Sequence, residues 1–194
     1  MRAAVIEEVG KVRVKDVPKP SIDEGGLLLQ VKACAVCGTD VRIFNHGHHK
    51  VKFPWTTGHE MAGIVAEVKG ADDLGIKVGD RVNVDCTEGC GRCDYCREGR
   101  PSLCPDTRAI GYYYPGAFAE YVKIPLSIVR SGGVYKLSPE IDFPEGSIIE
   151  PIAAAINGHE QVNIQIGETV AIIGAGPLGY IHVMISRLKG ASKV

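Results

Sequence analysis

Over the first two-thirds of the chain, apolar residues come in short runs that alternate with polar ones and stop at glycine or proline. That period marks half-buried strands. Ala3 to Val9 and Val12 to Val17 read as two strands joined at Gly10-Lys11. Pro18-Lys19-Pro20 then forces an extended linker, because each proline fixes φ and lacks an N–H. Leu27 to Ala33 is a third strand, half-buried toward its end. Cys34 to Asp40 is a loop running into a short helix-like segment, Val41 to Asn45, with Thr39 or Asp40 as its cap. Ala62 to Val68 and Arg81 to Val84 are further strands, separated by the turn-rich Gly70 to Asp80, and Gly116 to Ile124 alternates over its second half. Residues 86–106 show no apolar period. Up to about Leu137 the pattern is one of many short strands, which suggests a barrel-like, mainly β domain.

The pattern then changes. Pro144 to Glu160 is rich in Ala and Ile at helical spacing. Glu168 to Ile173 reads as a strand that enters Gly174-Ala175-Gly176-Pro177-Leu178-Gly179, with a helical pattern onward to Lys189. The expected division is a β domain over 1–149, carrying an irregular lobe at 86–106, and the first part of an α/β domain over 150–194. A strand–helix–strand unit takes about 30 residues or more. Glu168 to Val194 supplies 27, so the second domain is expected to be cut off before its second strand.

Composition adds exclusions. Of 194 residues, 45% are hydrophobic and 23% charged, an ordinary globular balance. With 22 basic against 23 acidic residues, nothing favours a nucleic-acid or anionic-membrane surface. The N-terminus turns acidic at Glu7-Glu8, too early for a signal peptide, and no apolar run approaches a membrane span. A soluble, cytoplasmic protein is expected. The seven cysteines (Cys34, Cys37, Cys86, Cys90, Cys93, Cys96 and Cys104) are odd in number, with four of them inside 15 residues. Such crowding in a reducing compartment argues for metal.

Three local patterns carry chemistry. Cys90-x2-Cys93-x2-Cys96-x7-Cys104 can close four thiolates around one tetrahedral zinc, and a closed four-sulfur site leaves no place for substrate, so its role is structural. Disulfides or an iron–sulfur cluster are the competing readings; Cys34 and Cys86 fall outside the pattern as ordinary buried thiols. Gly58-His59-Glu60 offers imidazole and carboxylate, both good zinc donors, although by itself such a pair is more often a satisfied turn. Gly174-x-Gly176-x-x-Gly179 follows a β-branched strand and opens a helix, the context in which glycines let a pyrophosphate approach a helix N-terminus. Pro177 suits the first helical turn. The loop His46-Gly47-His48-His49-Lys50 reads as solvated, with metal binding as its alternative.

Taken in order, Cys37-Gly38-Thr39-Asp40, Gly58-His59-Glu60-x-x-Gly63, the four-cysteine lobe, Glu150-Pro151 and the glycine turn closely resemble the zinc-dependent medium-chain alcohol dehydrogenase family. The branch is that of sorbitol, threonine and secondary-alcohol dehydrogenases, and the resemblance runs from Met1 to Val194. It implies a GroES-like domain followed by a Rossmann domain, two zincs per chain, NAD or NADP, a small alcohol or polyol substrate and a homo-oligomer. It implies a catalytic zinc held by Cys37 and His59 with Glu60 and Glu150 as shared or alternating ligands. Neighbours on a regular strand point to opposite faces, so His59 and Glu60 share a metal only where the backbone is irregular. Asp40 is implied as the carboxylate that orients His59, and Thr39 as the hydroxyl that first receives the alcohol proton. Gly174, Gly176, Pro177, Leu178 and Gly179 are implied to hold the cofactor. The residue choosing NAD or NADP is expected about 20 residues past the glycines, beyond Val194. One departure stands out: Arg42 occupies a relay position that often carries histidine, and arginine does not deprotonate. His46, His48, His49 or solvent would then take the proton.

Three readings follow. The first is a zinc-dependent oxidoreductase moving hydride between an alcohol and NAD(P). The second is a non-catalytic, zinc-bound fragment of such an enzyme, inactive alone. The third, a thiol redox sensor built on the clustered cysteines, is the weakest.

Overall fold

A computed structural model describes all 194 residues, Met1–Val194. The chain divides into two units, Met1–Ser147 and Ile148–Val194.

The first unit opens with a hairpin of β1 (Arg2–Glu8) and β2 (Lys11–Asp16). Then come β3 (Gly26–Ala35), α1 (Gly38–His46), β4 (Glu60–Lys69), β5 (Arg81–Val84) and β6 (Thr87–Glu88). The short α2 (Asp94–Arg97) and β7 (Arg108–Ala109) follow, then β8 (Tyr121–Ile124), α3 (Leu126–Arg130), β9 (Val134–Lys136) and α4 (Phe143–Ser147). The main sheet is antiparallel, in the order β8-β3-β4-β5-β9. Its hydrogen-bonded ladder stays open, with β8 and β9 as edges, so the many short strands form one open sheet and two small ones. The hairpin joins the rest through single bridges, Ala3 to Ala119 and Ile6 to Trp55.

Burial follows position in the sheet. β3 lies between β8 and β4, and Leu27, Leu28 and Leu29 are all fully buried, so its entry is buried on both faces and its later part only half-buried. The core continues through Val65, Val82, Val84, Val122 and Ile124. At fully buried side chains this size, each contributes about 1.5–3 kcal/mol over an exposed position. α4 covers β3 and β4; its start is fixed by a reciprocal pair in which Asp142 N–H donates to Glu145 Oε2 at 3.0 Å and Glu145 N–H to Asp142 Oδ1 at 2.8 Å. Buried Asn83 ties β5 to its neighbours, its amide donating to the Met61 and Gly146 carbonyls at 2.9 Å each.

Two expected elements differ. Of the strand expected over Gly116 to Ile124, only Tyr121–Ile124 pairs in the sheet. The earlier residues instead bond loop backbone, with Gly116, Ala117 and Phe118 N–H donating to the carbonyls of Thr56, Gly58 and Thr57. Helix α1 begins at Gly38, and its N-cap is Cys37 where Thr39 or Asp40 was expected. Asp40 is third in the helix and reaches back to the Cys37 N–H at 3.0 Å.

The second unit holds α5 (Ile149–Val162) and α6 (Pro177–Leu188), packed against each other. The strand expected over Glu168 to Ile173 is reduced to one parallel bridge, Thr169 to Lys193. Its β-branched residues have that single pairing to order them, and Ile166, Ile173 and Leu188 are exposed.

Candidate metal centres

Cys37, His59 and Glu60 bring their donor atoms within 4.8 Å of one another. Cys37 comes from the β3–α1 loop, while His59 immediately precedes β4 and Glu60 is its first residue. The backbone irregularity that adjacent ligands require is present at Gly58, whose φ of +98° lies in the left-handed region. There is also no room for a side chain at Gly58: a Cβ would stand 2.9 Å from Phe118 and 3.0 Å from Cys34 Sγ. His59 and Glu60 are buried, and His59 Nδ1 has no hydrogen-bond partner.

Asp40 holds the two ligand-bearing segments together. Buried itself, it accepts the Cys37 N–H on Oδ2 at 3.0 Å and the Gly58 N–H on Oδ1 at 3.1 Å. Its Oδ1 stands 3.8 Å from His59 Nδ1, too far for a hydrogen bond. Its grip on the imidazole is therefore through backbone. Thr39 Oγ1 lies 3.7 Å from Cys37 Sγ.

The donor set fits a divalent cation. Burial pushes the Cys37 thiol up, with the Glu60 and Asp40 charges adding to it against hydrogen bonds from Thr39. Burial also pushes the Glu60 carboxyl up, with Asp40 adding and a hydrogen bond from Cys37 opposing. Negative donors are thus crowded in a dry place, and a cation among them reverses both effects. Thiolate, imidazole and carboxylate are the ligands zinc takes in open sites. Glu150 belongs to the second unit, in the first turn of α5.

Tyr112 is a neighbour that the sequence did not flag. Its ring centroid lies 5.3 Å from that of His59 and 5.5 Å from that of His48, and burial raises its hydroxyl to about 12. It follows a loop 53 residues after His59, without any periodic signal. His48 Nδ1 already accepts the Lys50 N–H at 3.2 Å, which leaves it a poor proton acceptor in its neutral form.

The lobe at 86–106 is rooted in the β6–β7 pair, Thr87 to Ala109 and Glu88 to Arg108. Cys90, Cys93, Cys96 and Cys104 place all four sulfurs within 4.8 Å of one another. No disulfide joins any of the seven cysteines. Backbone N–H groups of Arg92 and Cys93 bring Cys90 down to about 6, while burial takes Cys96 up to about 12. The Cys90 N–H also donates to Cys104 Sγ at 3.3 Å. Four sulfurs gathered this closely, with amide donors beside them, are a donor set that could hold one zinc.

In the second unit Gly174 and Gly176 lie in the loop that enters α6, and Pro177, Leu178 and Gly179 open that helix. Gly176 is the N-cap of α6 and Pro177 its first residue. A Cβ on Gly179 would collide with the Gly174 carbonyl oxygen, so the helix closes on the turn only with glycine there. Beside the turn is a depression of about 340 Å³ bordered by Ile172, Ala175 and Tyr180.

Comparison with known proteins agrees with this arrangement. Residues 23–131 match the alcohol dehydrogenase GroES-like domain. The chain is 34% identical to the sorbitol dehydrogenase of Bacillus subtilis (strain 168) over 198 residues, covering 100% of this chain and 54% of that one. It is 36% identical to the L-threonine 3-dehydrogenase of Bacillus velezensis over 184 residues, covering 93% and 51%. The structure superposes with a TM-score of 0.88 and 38% identity on a candidate zinc-binding dehydrogenase of Sinorhizobium meliloti 1021 bound to NADP, covering 98% and 54%. The chain spans about half the length of the relatives it matches. Because the GroES-like match takes in more than half of the chain, both cysteine clusters included, the chain belongs to the zinc-dependent medium-chain alcohol dehydrogenase family.

Proposed function

We propose that the chain is the metal-bearing part of an NAD(P)-dependent alcohol dehydrogenase acting on a polyol or secondary alcohol. The observation that carries this is the convergence of Cys37, His59 and Glu60 at one buried point. They would hold a catalytic zinc, with Glu150 as shared or alternating ligand, and the four lobe cysteines a structural one. A zinc held there would supply a Lewis acid for an alcohol oxygen, and a bound NAD(P) would supply the hydride acceptor.

The chain's own residues have separate tasks in this reading. Asp40 fixes the spacing of the Cys37 loop and the Gly58-His59 entry to β4. Thr39, beside the Cys37 sulfur, receives the alcohol's proton at Oγ1. Arg42 cannot pass that proton on, and His48 has its Nδ1 engaged, so the proton leaves from Thr39 toward solvent or another loop histidine. The Gly174–Gly179 turn offers N–H groups and a helix N-terminus to a pyrophosphate. The domain boundary of this reading is Glu150.

Elemental analysis and a cofactor-by-alcohol panel test it together. Two zincs per chain, falling to one in Cys37→Ala, are expected, with alcohol-dependent reduction of NAD or NADP by the whole protein. One zinc or none in the unmodified protein refutes the reading. Two zincs without turnover by the 194-residue chain would favour the second reading, a zinc-bound piece inactive by itself. The exposed Ile166, Ile173 and Leu188 of the second unit favour that outcome.

A further inference from the structure

The second unit contains a pair of imidazoles that the proposed chemistry does not use. His159, on α5, is 5% exposed, and neither of its ring nitrogens has a hydrogen-bond partner. Its ring centroid is 5.0 Å from that of His182, on α6, with the planes tilted by 42°. The His182 carbonyl, which faces the His159 ring without making a hydrogen bond to it, takes the Ser186 hydroxyl at 2.8 Å. A buried imidazole with both nitrogens unpaired is unusual, since leaving a buried polar atom unsatisfied costs about 1–3 kcal/mol. A second imidazole beside it, on a neighbouring helix, points to a shared ligand.

We propose that His159 and His182 form a two-imidazole site, bridging α5 and α6, for a borderline divalent cation of the nickel, copper or zinc class. Geometry and donor chemistry agree. Metal–nitrogen bonds of about 2.0–2.1 Å at a tetrahedral angle set two ring centroids roughly 5 Å apart, as here. Imidazole is the donor these cations prefer, and the oxygen-seeking Mg2+ and Ca2+ do not. His182 is part-exposed, so water reaches the remaining coordination positions from its side. The groups facing His159 favour its neutral, ligating form. Burial lowers its pKa, the His182 and Lys189 charges lower it further, and the His182 carbonyl and then Glu160, paired to Lys189 at 2.6 Å, oppose them more weakly. A bound cation would fasten the last turn of α5 to the middle of α6. The site is independent of both cysteine-containing clusters and of the proposed reaction.

The test uses the 194-residue chain loaded with zinc, titrated with Ni2+ by calorimetry and by thermal unfolding. One added equivalent should bind and raise the unfolding temperature. His159→Val and His182→Leu should each weaken that binding by more than the roughly 10–100-fold lost when an outer partner of a metal ligand is removed. Mg2+ should not bind. Nickel affinity unchanged in both variants, or no binding to the parent chain, overturns the proposal. Should either variant misfold, the parent chain still decides: Ni2+ must broaden the imidazole NMR signals of His159 and His182 first. Broadening confined to His46, His48 and His49 would move the metal to that loop and refute the site.

Discussion

Removing one charge from Asp40 should loosen the proposed metal site without touching a ligand. In Asp40→Asn the side chain keeps its shape but has one acceptor oxygen where two are now used. Oδ2 takes the Cys37 N–H at 3.0 Å and Oδ1 the Gly58 N–H at 3.1 Å, in a residue 5% exposed. One of these bonds is retained with a neutral acceptor; at the other, an amide NH2 faces a backbone N–H. Hydrogen bonds to a charged group contribute about 1.5–3 kcal/mol, and leaving a buried donor unpaired is of the same size, so a loss of roughly 2–4 kcal/mol is expected. For a chain of this length that is about 4–16 °C in unfolding temperature. Zinc affinity, measured by competition with a chromophoric chelator, should fall about 10–100-fold, the usual effect of altering a ligand's support. The lobe zinc should be retained, so metal content at high chelator falls toward one per chain. If Asp40→Asn unfolds within 1 °C of the parent and holds both metals as tightly, the reasoning is refuted: the two backbone bonds would then not be what spaces the ligands.

Three further outcomes are expected. Asn83→Leu strips the Met61 and Gly146 carbonyls of their shared donor and should destabilise the first unit by roughly 2–4 kcal/mol in urea unfolding, with the slope unchanged. Gly179→Ala places a methyl against the Gly174 carbonyl and should weaken NADH binding by the whole protein, read by fluorescence, at least about tenfold while zinc content stays at two. Glu7 is held below its ordinary value of 4.5, first by its bond to Lys15 and then by Lys11. A carboxylate with a depressed folded-state pKa contributes stability that is present above 4.5 and is lost as pH falls through the folded-state value. Acid unfolding of Glu7→Gln should therefore lack this part of the parent's decline below that pH.

How much of this was legible in the residues differs by element. Arg81–Val84 has the bounds its sequence predicts, because its alternation is undisturbed and it follows a turn-rich stretch. The four-cysteine set was legible because its spacing alone dictates a closed tetrahedral shell. Helix α1 starts three residues earlier than its apolar pattern, since its beginning is set by the Cys37 N–H donating to the Asp40 carboxylate, which no periodicity reveals. The short pairs Thr87–Glu88 with Arg108–Ala109 had too few residues to show a period. At the candidate site, His59 and Glu60 were visible as donors, but their ability to serve one point depended on the left-handed turn at Gly58. Tyr112 reaches the site through the fold alone.

The bonds from residues 116–118 to the carbonyls of 56–58 are made by main chain on both sides. The approach to His59 is therefore tied down by N–H groups that no side-chain exchange short of proline removes.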